Sequence, residues 1–562
     1  MNDAPRVRLY WLIAAAAAIA AFAHAWSLRW SCDDAFISFR YAQHLVDGHG
    51  LRFNLDPSEP PVEGYTNFLW TVWIALGMAL GFCGDLIEDW SFFWGSFFHA
   101  GTVLVVAWLV RRYGRPGNLV PIAACVYAAT HHAASLAPAG LETALFVLLG
   151  VAMLAIAIGP RSLRSDFALG LLGTLAAMTR PDGAIFCASA GLVVLFDACR
   201  VGRVRSCAAF ALPFVVGFLP YLIFRHAYYG YWVPNTFFAK SGSDPYLGQG
   251  LAYVWEFAKA YRWVFYLVAV AWLACWRMRR PAFLTLLFVL PYLLFVAWVG
   301  GDFMFGRFVL PILPMVLLGL DFAVRTWQQS ALLAAVAVTC VLNPELPAWL
   351  DDYKGPVSDN RRISVAEMPN FDGVTLIAAN RAIGAYLLPV FSGLDVRLGI
   401  SGGHANLAYR AAVPVAIEVA AGLTDAYIAH LPLPPRGKVG HERPWPLYPE
   451  YLERRGMNFM LELSYHTGGL VDAARDIIFP AKPVPLPAKI VVYDRALMRA
   501  LKLRDKDIQF VDFEQALDDY IKLLPQKNKA DVAKDFAGFR RFYFDHNDDA
   551  ERRFAIEAFL AH

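Results

Sequence analysis

The chain has 562 residues, of which 58% are hydrophobic and 15% aromatic, and its mean hydropathy is +0.42. This composition excludes an ordinary soluble globular protein and predicts a membrane protein with many spans. The formal net charge of +3 says little about partners, and no nucleic-acid partner is expected.

The first predicted element is an apolar run near residues 9–27, preceded by Arg6 and Arg8. A cleavable signal peptide has this general pattern, but the run continues to His24 and Trp26 without a clear small-residue cleavage site. We therefore interpret it as an uncleaved first span with a cytoplasmic N-terminus.

Further apolar runs follow along the first part of the chain. They lie near residues 66–83, 91–110, 119–131, 141–159, 166–179, 184–198, 207–224, 263–276, 282–299, 308–324 and 331–343. Basic clusters separate many of them: Arg111, Arg112 and Arg115; Arg161 and Arg164; Arg200, Arg203 and Arg205; Arg277, Arg279 and Arg280; and Arg325. All clusters face the cytoplasm, as positive loops should, only if 66–83 is a juxtamembrane or re-entrant helix. About eleven spans then remain.

The composition changes near residue 344, where apolar runs end and charged residues and proline increase. We predict a membrane module at 1–345, with an outer loop at 28–90 that carries juxtamembrane helices, and a soluble α/β domain at 346–562. Val374–Asn380 and Lys489–Tyr493 are predicted strands, and Val511–Leu523 and Lys529–Arg541 are predicted amphipathic helices. With this topology the soluble domain lies outside the cytoplasm.

Two adjacent carboxylates, Asp33 and Asp34, begin an amphipathic segment that reaches Val46 and is expected to lie along the membrane interface. Such a pair suits a general base with a supporting group, or a shared divalent cation. The plainer interpretation is a helix N-cap, which fits Asp34 before Ala35. Both roles are compatible, since one carboxylate can cap while the other faces a cavity.

Three cations, Arg180, Lys240 and Arg307, fall on the predicted outer side against the usual charge bias. They could hold one phosphate from separate loops. Alternatively, they reach lipid headgroups or pair with Asp182 and Asp302. The glycines beside Asp302 should adopt positive φ or allow close backbone approach; they are Gly300, Gly301 and Gly306.

Other polar residues at the outer ends of spans include His131, His132 and Glu142. Adjacent histidines cannot easily bind one ion together, so ordinary interfacial polarity is favoured over a metal site. The sequence has no P-loop and no G-x-G-x-x-G pattern, which argues against a nucleotide donor. Acids beside cations at a lipid boundary instead fit group transfer from a lipid phosphate to a hydroxyl acceptor.

Several short motifs resemble the GT-C glycosyltransferases that use polyprenyl-phosphate sugars, most closely the terminal arabinofuranosyltransferases that cap arabinan from decaprenyl-phosphate arabinofuranose. The motifs are DDAFISFR (33–40), GHGLRFN (48–54), VEGYTNFLW (62–70), GGDFMFGR (300–307), GLTD (422–425) and GHER (440–443). One departure is the stretch Tyr65-Thr-Asn-Phe68, where the arabinan-capping enzymes have Tyr-Thr-His-Pro. The sugar therefore stays open, as does the choice between inversion and retention.

The resemblance implies an α-helical polytopic membrane fold of GT-C type with a C-terminal α/β periplasmic domain, in a bacterial inner membrane. It implies that Asp33 is the catalytic carboxylate with support from Asp34. The donor phosphate would be bound by Lys240, Arg307 and Arg180. The sugar and acceptor pocket would include Glu63, Tyr65, Asn67, Arg40, Asp302, Glu142 and His441.

The expected partners are a polyprenyl-phosphate sugar, a periplasmic glycan, lipid-linked glycan or protein acceptor, and the lipid bilayer. No metal ligand is assigned, and a divalent cation at Asp33 and Asp34 stays open. The rival function is a transporter or flippase for a lipid-linked sugar, which would need polar groups at mid-membrane and often has an inverted repeat. A structural membrane protein would leave the acids and cations unexplained.

Overall fold

The computed structural model describes residues 4–115, 117–240, 244–275, 279–351, 355–400, 403–432, 435–441, 449–461 and 469–562. These residues form two compact units. The first consists of Met1–Gly48, Tyr65–Val365 and Arg436–Val439, and the second of His49–Gly64, Ala366–Pro435 and Gly440–His562. Glu442 and Arg443 of the GHER motif lie outside the described residues.

The first unit is helical throughout its described part. Its helices are α1 (Ala4–Ser27), α2 (Asp33–Val46), α3 (Phe68–Ala79), α4 (Leu86–Tyr113), α5 (Ile122–Ala129), α6 (His131–Leu136), α7 (Thr143–Ile158), α8 (Leu163–Thr179), α9 (Gly183–Val201), α10 (Val204–Pro213), α11 (Leu219–Tyr229), α12 (Asn235–Ala239), α13 (Leu247–Ala260), α14 (Arg262–Ala274), α15 (Arg279–Val299), α16 (Leu313–Ala323), α17 (Trp327–Leu342) and α18 (Asn360–Val365).

Five helical stretches in the described part of the chain are long and apolar enough to cross a membrane, or six if one bent pair counts as a span. They are Pro5–Ser27, Leu86–Tyr113, Gly183–Val201, Val204–Tyr229 and Arg280–Val299, with α13 and α14 as the bent pair. The predicted membrane protein is thereby confirmed. The predicted number of about eleven spans is not confirmed, because several predicted runs fold as shorter helices.

Two of these runs contain a helix break or a sharp bend, which hydropathy does not report. The run near 119–131 divides at Thr130 into α5, with 8 residues, and α6, with 6. The run near 263–276 is α14, which makes an angle of 94° with α13. Apolar composition does not report where a helix ends or bends, so a bent or divided helix and a straight span give the same sequence pattern.

The segment predicted to be juxtamembrane, 66–83, contains only the 12-residue α3. A helix of that length is about 18 Å long, well below the roughly 30 Å of a bilayer core. It packs against α2. Its side in the membrane, like the rest of the predicted topology, stays a prediction.

The second unit is an α/β unit, which confirms the predicted class of the C-terminal region. Its central sheet has the strand order β4-β3-β5-β7-β6-β8, parallel among the first three strands and antiparallel beyond β5. A separate hairpin pairs β1 with β2. The strands are β1 (Glu367–Met368), β2 (Phe371–Thr375), β3 (Arg397–Ile400), β4 (Val415–Glu418), β5 (Phe459–Leu461), β6 (Asp476–Phe479), β7 (Leu486–Ile490) and β8 (Gln509–Phe510).

Helices flank these strands along the chain. They are α19 (Leu376–Phe391), α20 (Ala405–Arg410), α21 (Ala426–His430), α22 (Pro449–Arg454), α23 (Gly469–Ala474), α24 (Arg495–Arg504), α25 (Phe513–Lys522), α26 (Lys529–Phe539) and α27 (Ala550–Ala561). The predicted helices at 511–523 and 529–541 match α25 and α26. The predicted strand Val374–Asn380 is wrong, because Thr375 caps α19 by accepting a bond from Ala378 N and the helix begins at Leu376. The predicted strand at 489–493 overlaps the end of β7.

An insertion from the N-terminal part of the chain belongs to the second unit. Within His49–Gly64, Leu55 N donates to the Pro414 carbonyl and Asn54 Oδ1 accepts from Ala416 N at 2.8 Å. Asp56 accepts from Arg397 Nη1 at 3.1 Å. Residues 49–64, which were predicted to be part of the outer loop, thus form backbone and side-chain hydrogen bonds at the edge strand β4.

Candidate functional site

The two adjacent carboxylates begin α2, and both are half-buried. The N-cap residue is Cys32, and Asp33 and Asp34 occupy the first helical turn, so the predicted capping role of Asp34 is wrong. Negative charge in the first turn is stabilised by the helix dipole and by amides that have no partner within the helix. Neither carboxylate caps the helix.

The helix that carries them is enclosed by protein on most of its surface. Arg40 is only 2% exposed, and Phe39 and Tyr41 are fully buried. The orientation of α2 along the membrane interface stays a prediction. Tyr65 packs against Tyr41, with ring centroids 4.6 Å apart. This contact makes Tyr65 part of the surroundings of α2.

Glu142 is the centre of a buried ion cluster. Its Oε1 accepts from Arg180 Nη1 at 3.2 Å and from Arg307 Nη2 at 3.0 Å. Its Oε2 accepts from Asn67 Nδ2 at 2.9 Å, and Asn67 Oδ1 in turn accepts from Ser38 Oγ of α2 at 3.0 Å. Three predicted site residues from distant parts of the chain thus meet at the carboxylate of a fourth, Glu142.

Each arginine has a second carboxylate of its own. Arg180 donates through Nε and Nη2 to the two oxygens of Asp182, both at 2.9 Å. Arg307 donates through Nη1 to Asp302 at 3.3 Å. The alternative in which the cations pair with Asp182 and Asp302 is therefore what the structure contains. The shared anionic ligand of the two arginines is Glu142, another residue of the chain.

Electrostatics keep this cluster charged, although it is almost entirely buried. Burial would raise the pKa of Glu142, but Arg307 and Arg180 outweigh it and hold that pKa below its usual value. Burial likewise opposes the charge of Arg307, yet Glu142 and Asp302 raise its pKa, with a further contribution from Asp34. Three carboxylates face two guanidiniums here, so the cluster carries about one net negative charge.

The loop before α16 is shaped by glycines, as the sequence predicted. Gly301 and Gly306 have φ of +76° and +77°. A Cβ on Gly301 would lie 2.4 Å from Tyr253, and one on Gly306 would lie 2.7 Å from Phe257. The glycines therefore let the loop approach two aromatic rings of α13, which holds Asp302 and Arg307 in place.

Sequence reasoning missed two tyrosines that support the cluster. Tyr292 donates its hydroxyl to Asp182 at 2.8 Å. Tyr253 donates to the Met304 carbonyl at 2.8 Å and accepts from Phe308 N at 3.0 Å. Both lie inside apolar helices, where a tyrosine looks like any other aromatic residue. Only the hydroxyl groups of these residues could have indicated a role in the cluster, because a buried tyrosine hydroxyl usually has a hydrogen-bond partner.

The other predicted site residues are not brought into this cluster by the contacts described. Lys240 follows α12 and is half-buried in the first unit, and its predicted role stays a prediction. Glu63 and His441 belong to the second unit, where Glu63 is buried and His441 half-buried. Among the described residues, no group of three or more His, Cys, Asp or Glu side chains could hold a metal ion.

The sequence is similar to two curated proteins named terminal β-(1→2)-arabinofuranosyltransferase. The protein from Corynebacterium glutamicum is 29% identical over 380 residues, which cover 59% of this chain and 54% of the relative. The protein from Mycobacterium tuberculosis is 28% identical over 457 residues, covering 67% and 71%. The chain thus matches about half the length of the first relative. These similarities confirm the resemblance that the motifs indicated.

No family model matches the sequence. Among solved structures, an oligosaccharyltransferase of Archaeoglobus fulgidus in its apo form aligns with a TM-score of 0.40 and 11% identity, covering 75% of this chain and 65% of that one. The archaeal oligosaccharyltransferase from the same organism, in complex with an inhibitory peptide and a dolichol-phosphate, aligns with a TM-score of 0.39 and 11% identity over the same shares.

Proposed function

We propose that this protein is a membrane glycosyltransferase of GT-C type. It transfers arabinofuranose or a similar pentose from a polyprenyl phosphate to a glycan, lipid-linked glycan or protein on the outer side of the membrane. The observation that carries the proposal is the pairing of Glu142 with both Arg180 and Arg307, in a cluster that Asn67 and Ser38 connect to the helix carrying Asp33 and Asp34. The names of the two relatives support the sugar, and the apolar helices support a lipid-linked donor.

In the proposed reaction, an acceptor hydroxyl forms a bond to the anomeric carbon while the bond from that carbon to the phosphate oxygen breaks. Asp33 accepts the hydroxyl proton or stabilises the positive charge that develops on the sugar ring. The leaving group is the polyprenyl phosphate, which departs with the bonding electron pair. Asp34 supports Asp33 by keeping negative charge in the first turn of α2.

The leaving phosphate needs positive charge, which the Glu142 cluster does not supply in excess. Arg180 and Arg307 already pair with three carboxylates. We therefore propose that they orient the donor phosphate as well as bind it. Arg307 retains a buried Nε that has no hydrogen-bond partner among the described residues and can donate to a phosphate oxygen. Lys240 is proposed as an additional cation that offsets part of the negative charge when the phosphate is bound.

Asp33→Asn tests the catalytic role. General-base catalysis contributes about 100- to 10,000-fold, so we expect transfer to fall by at least that range. The assay supplies a polyprenyl-phosphate pentose to the purified protein and measures free polyprenyl phosphate and the glycosylated acceptor. A flippase would release no free polyprenyl phosphate.

The matched control is Asp89→Asn, which also removes a carboxylate from the first turn of a helix, here α4, but at an exposed position. We expect this variant to keep wild-type turnover. Turnover at the wild-type level in a correctly folded Asp33→Asn protein would remove Asp33 from the mechanism. Absence of transfer by the wild-type protein with every pentose donor would overturn the proposed function as a whole.

A further inference from the structure

A second arginine site lies in the first unit, where α1 and α17 begin and α4 ends. A cavity of about 300 Å³ there is lined by Arg6, Arg111 and Arg325, together with Asn118 and Trp327. In the sequence these arginines act only as orientation signals for the cytoplasmic side. The structure brings them together from three separate parts of the chain, which a signal for orientation does not require.

The lining residues of this cavity, as far as the structure describes them, include no carboxylate. A second basic cavity in the same unit provides a contrast, because Arg280 pairs with Asp197 at 3.4 Å and Arg161 pairs with Asp166. Two carboxylates thus face the four arginines that line that cavity, whereas none lines the first. Three guanidiniums around one open space favour an anionic ligand with several acceptor oxygens.

The walls of the cavity are fixed by contacts behind them. A Cβ on Gly117 would lie 2.2 Å from the Arg325 carbonyl oxygen, so the two backbones are in close contact. Ser330 Oγ accepts from Val120 N at 3.0 Å and donates to the carbonyl of the same residue at 3.1 Å. Asn118 Nδ2 donates to the Asp321 carbonyl at 3.1 Å. A preformed site loses less free energy on binding than one that must be ordered.

The surroundings of the cavity indicate a ligand with an apolar part. On α1, Leu9 is 45% exposed and Leu12 66% exposed, so an apolar surface begins one turn beyond Arg6. Trp327 is 44% exposed at the start of α17, the type of residue that favours the level of lipid headgroups. A soluble phosphate would use the arginines but leave this apolar surface unused.

We propose that this cavity binds the phosphate headgroup of an anionic phospholipid, and that a headgroup with two phosphodiesters, of the cardiolipin class, suits it best. Basic pockets between helices on the cytoplasmic side are suited to such headgroups. Three arginines can contact two phosphates, while the acyl chains lie along the exposed leucines of α1. The proposal is independent of the transferase reaction, because none of these residues belongs to the Glu142 cluster.

The test compares lipid binding by the full-length protein and by R6Q/R111Q/R325Q, using native mass spectrometry in detergent with added cardiolipin. Each arginine near an anionic surface contributes roughly a factor of five, so the triple variant should bind on the order of 100-fold more weakly. The matched control is R8Q/R112Q/R164Q, which removes three exposed arginines that do not line the cavity. The control should keep most of the affinity.

Equal losses in the two triple variants would mean general attraction to positive charge and would overturn the proposal, as would unchanged binding in R6Q/R111Q/R325Q. Thermal unfolding of each variant checks that the fold is intact, and single substitutions of the three arginines replace the triple variant if it unfolds. In a competition arm, millimolar inorganic phosphate should fail to displace cardiolipin. Complete displacement would identify a soluble phosphate as the ligand and exclude the lipid.

Discussion

The two units each contain an ion cluster, and the two clusters are built in opposite ways. In the first unit one carboxylate, Glu142, is shared by two arginines. In the second unit one arginine, Arg455, contacts Asp425 at 3.0 Å and Asp56 and Glu59 at 3.5 Å each. The two arginine side chains are about equally buried, at 11% exposed for Arg307 and 13% for Arg455, but the second cluster has one exposed member, Glu59, at 42%.

This difference in burial determines what each cluster can do. Removing one member of a buried pair leaves an uncompensated charge in a low dielectric, so every member of the Glu142 cluster is required. In the Arg455 cluster only Glu59 retains much water, which replaces it at small cost if it is lost. The Glu142 cluster, with no such exposed member, can hold reacting groups in fixed positions, while the Arg455 cluster attaches the segment at 49–64 to its own unit.

The largest effect should come from Glu142→Gln, which keeps the volume of the side chain and removes its charge. Each buried guanidinium then loses a charged partner but keeps Asp182 or Asp302, so no charge is left unpaired, and we expect a destabilisation of about 1.5–3 kcal/mol. The thermal unfolding midpoint in detergent measures this. Glu59→Gln, at an exposed partner of Arg455, should cost no more than about 1 kcal/mol. Similar losses for both variants would contradict the contrast between the clusters.

Arg307→Lys should produce the next largest effect, on the proposed reaction. Lysine keeps the charge but cannot reach Glu142 and Asp302 with two separate nitrogens or retain the buried Nε donor. We expect kcat/KM for the donor to fall by about 10- to 100-fold, mainly through KM. Arg262→Lys is the control, since Arg262 pairs with Glu345 at an exposed site. An unchanged KM in Arg307→Lys would argue against donor contact.

Arg455→Gln should have a smaller effect, confined to the second unit. The loss of contacts to three carboxylates should destabilise the attachment of 49–64 by about 1–2 kcal/mol. Limited proteolysis should then cut this segment faster than in the wild-type protein. The neighbouring Arg454 is exposed, and Arg454→Gln should leave the rate of cleavage unchanged. Faster cleavage in both variants would point to a general loss of charge.

The smallest effect concerns Asp56 and acid. Burial opposes its charge, but bonds from Ser58 and the charges of Arg397 and Arg455 lower its pKa below the usual value. The stabilisation is therefore present above about pH 4, where the unfolded carboxylate is also ionised, and is lost as pH falls through the lowered pKa. Below about pH 4 the unfolding midpoint should fall more steeply in the wild-type protein than in Asp56→Asn. Parallel curves would show that Asp56 contributes nothing to acid stability.

Several local features were readable from the sequence because they depend on residues close together in the chain. The apolar runs predicted membrane helices, and the run from Asp33 to Val46 was predicted with the end that the structure shows. Gly300, Gly301 and Gly306 were predicted to adopt positive φ or to allow close backbone approach, and all three have positive φ. The local signal failed at Val374–Asn380, where β-branched and apolar residues indicated a strand but a capped helix forms instead.

The sequence by itself determined the class of the protein, the order of its motifs and the residue types at its candidate site. Hydropathy, turn propensity and spacing are local properties that need no knowledge of the fold. Only the tertiary structure decided that Glu142 accepts hydrogen bonds from both Arg180 and Arg307. It also decided that the segment at 49–64 folds with the second unit, and that one cavity is lined by Arg6, Arg111 and Arg325. These are contacts between distant parts of the chain, and their partners are selected by packing and by the cost of burying an unpaired charge.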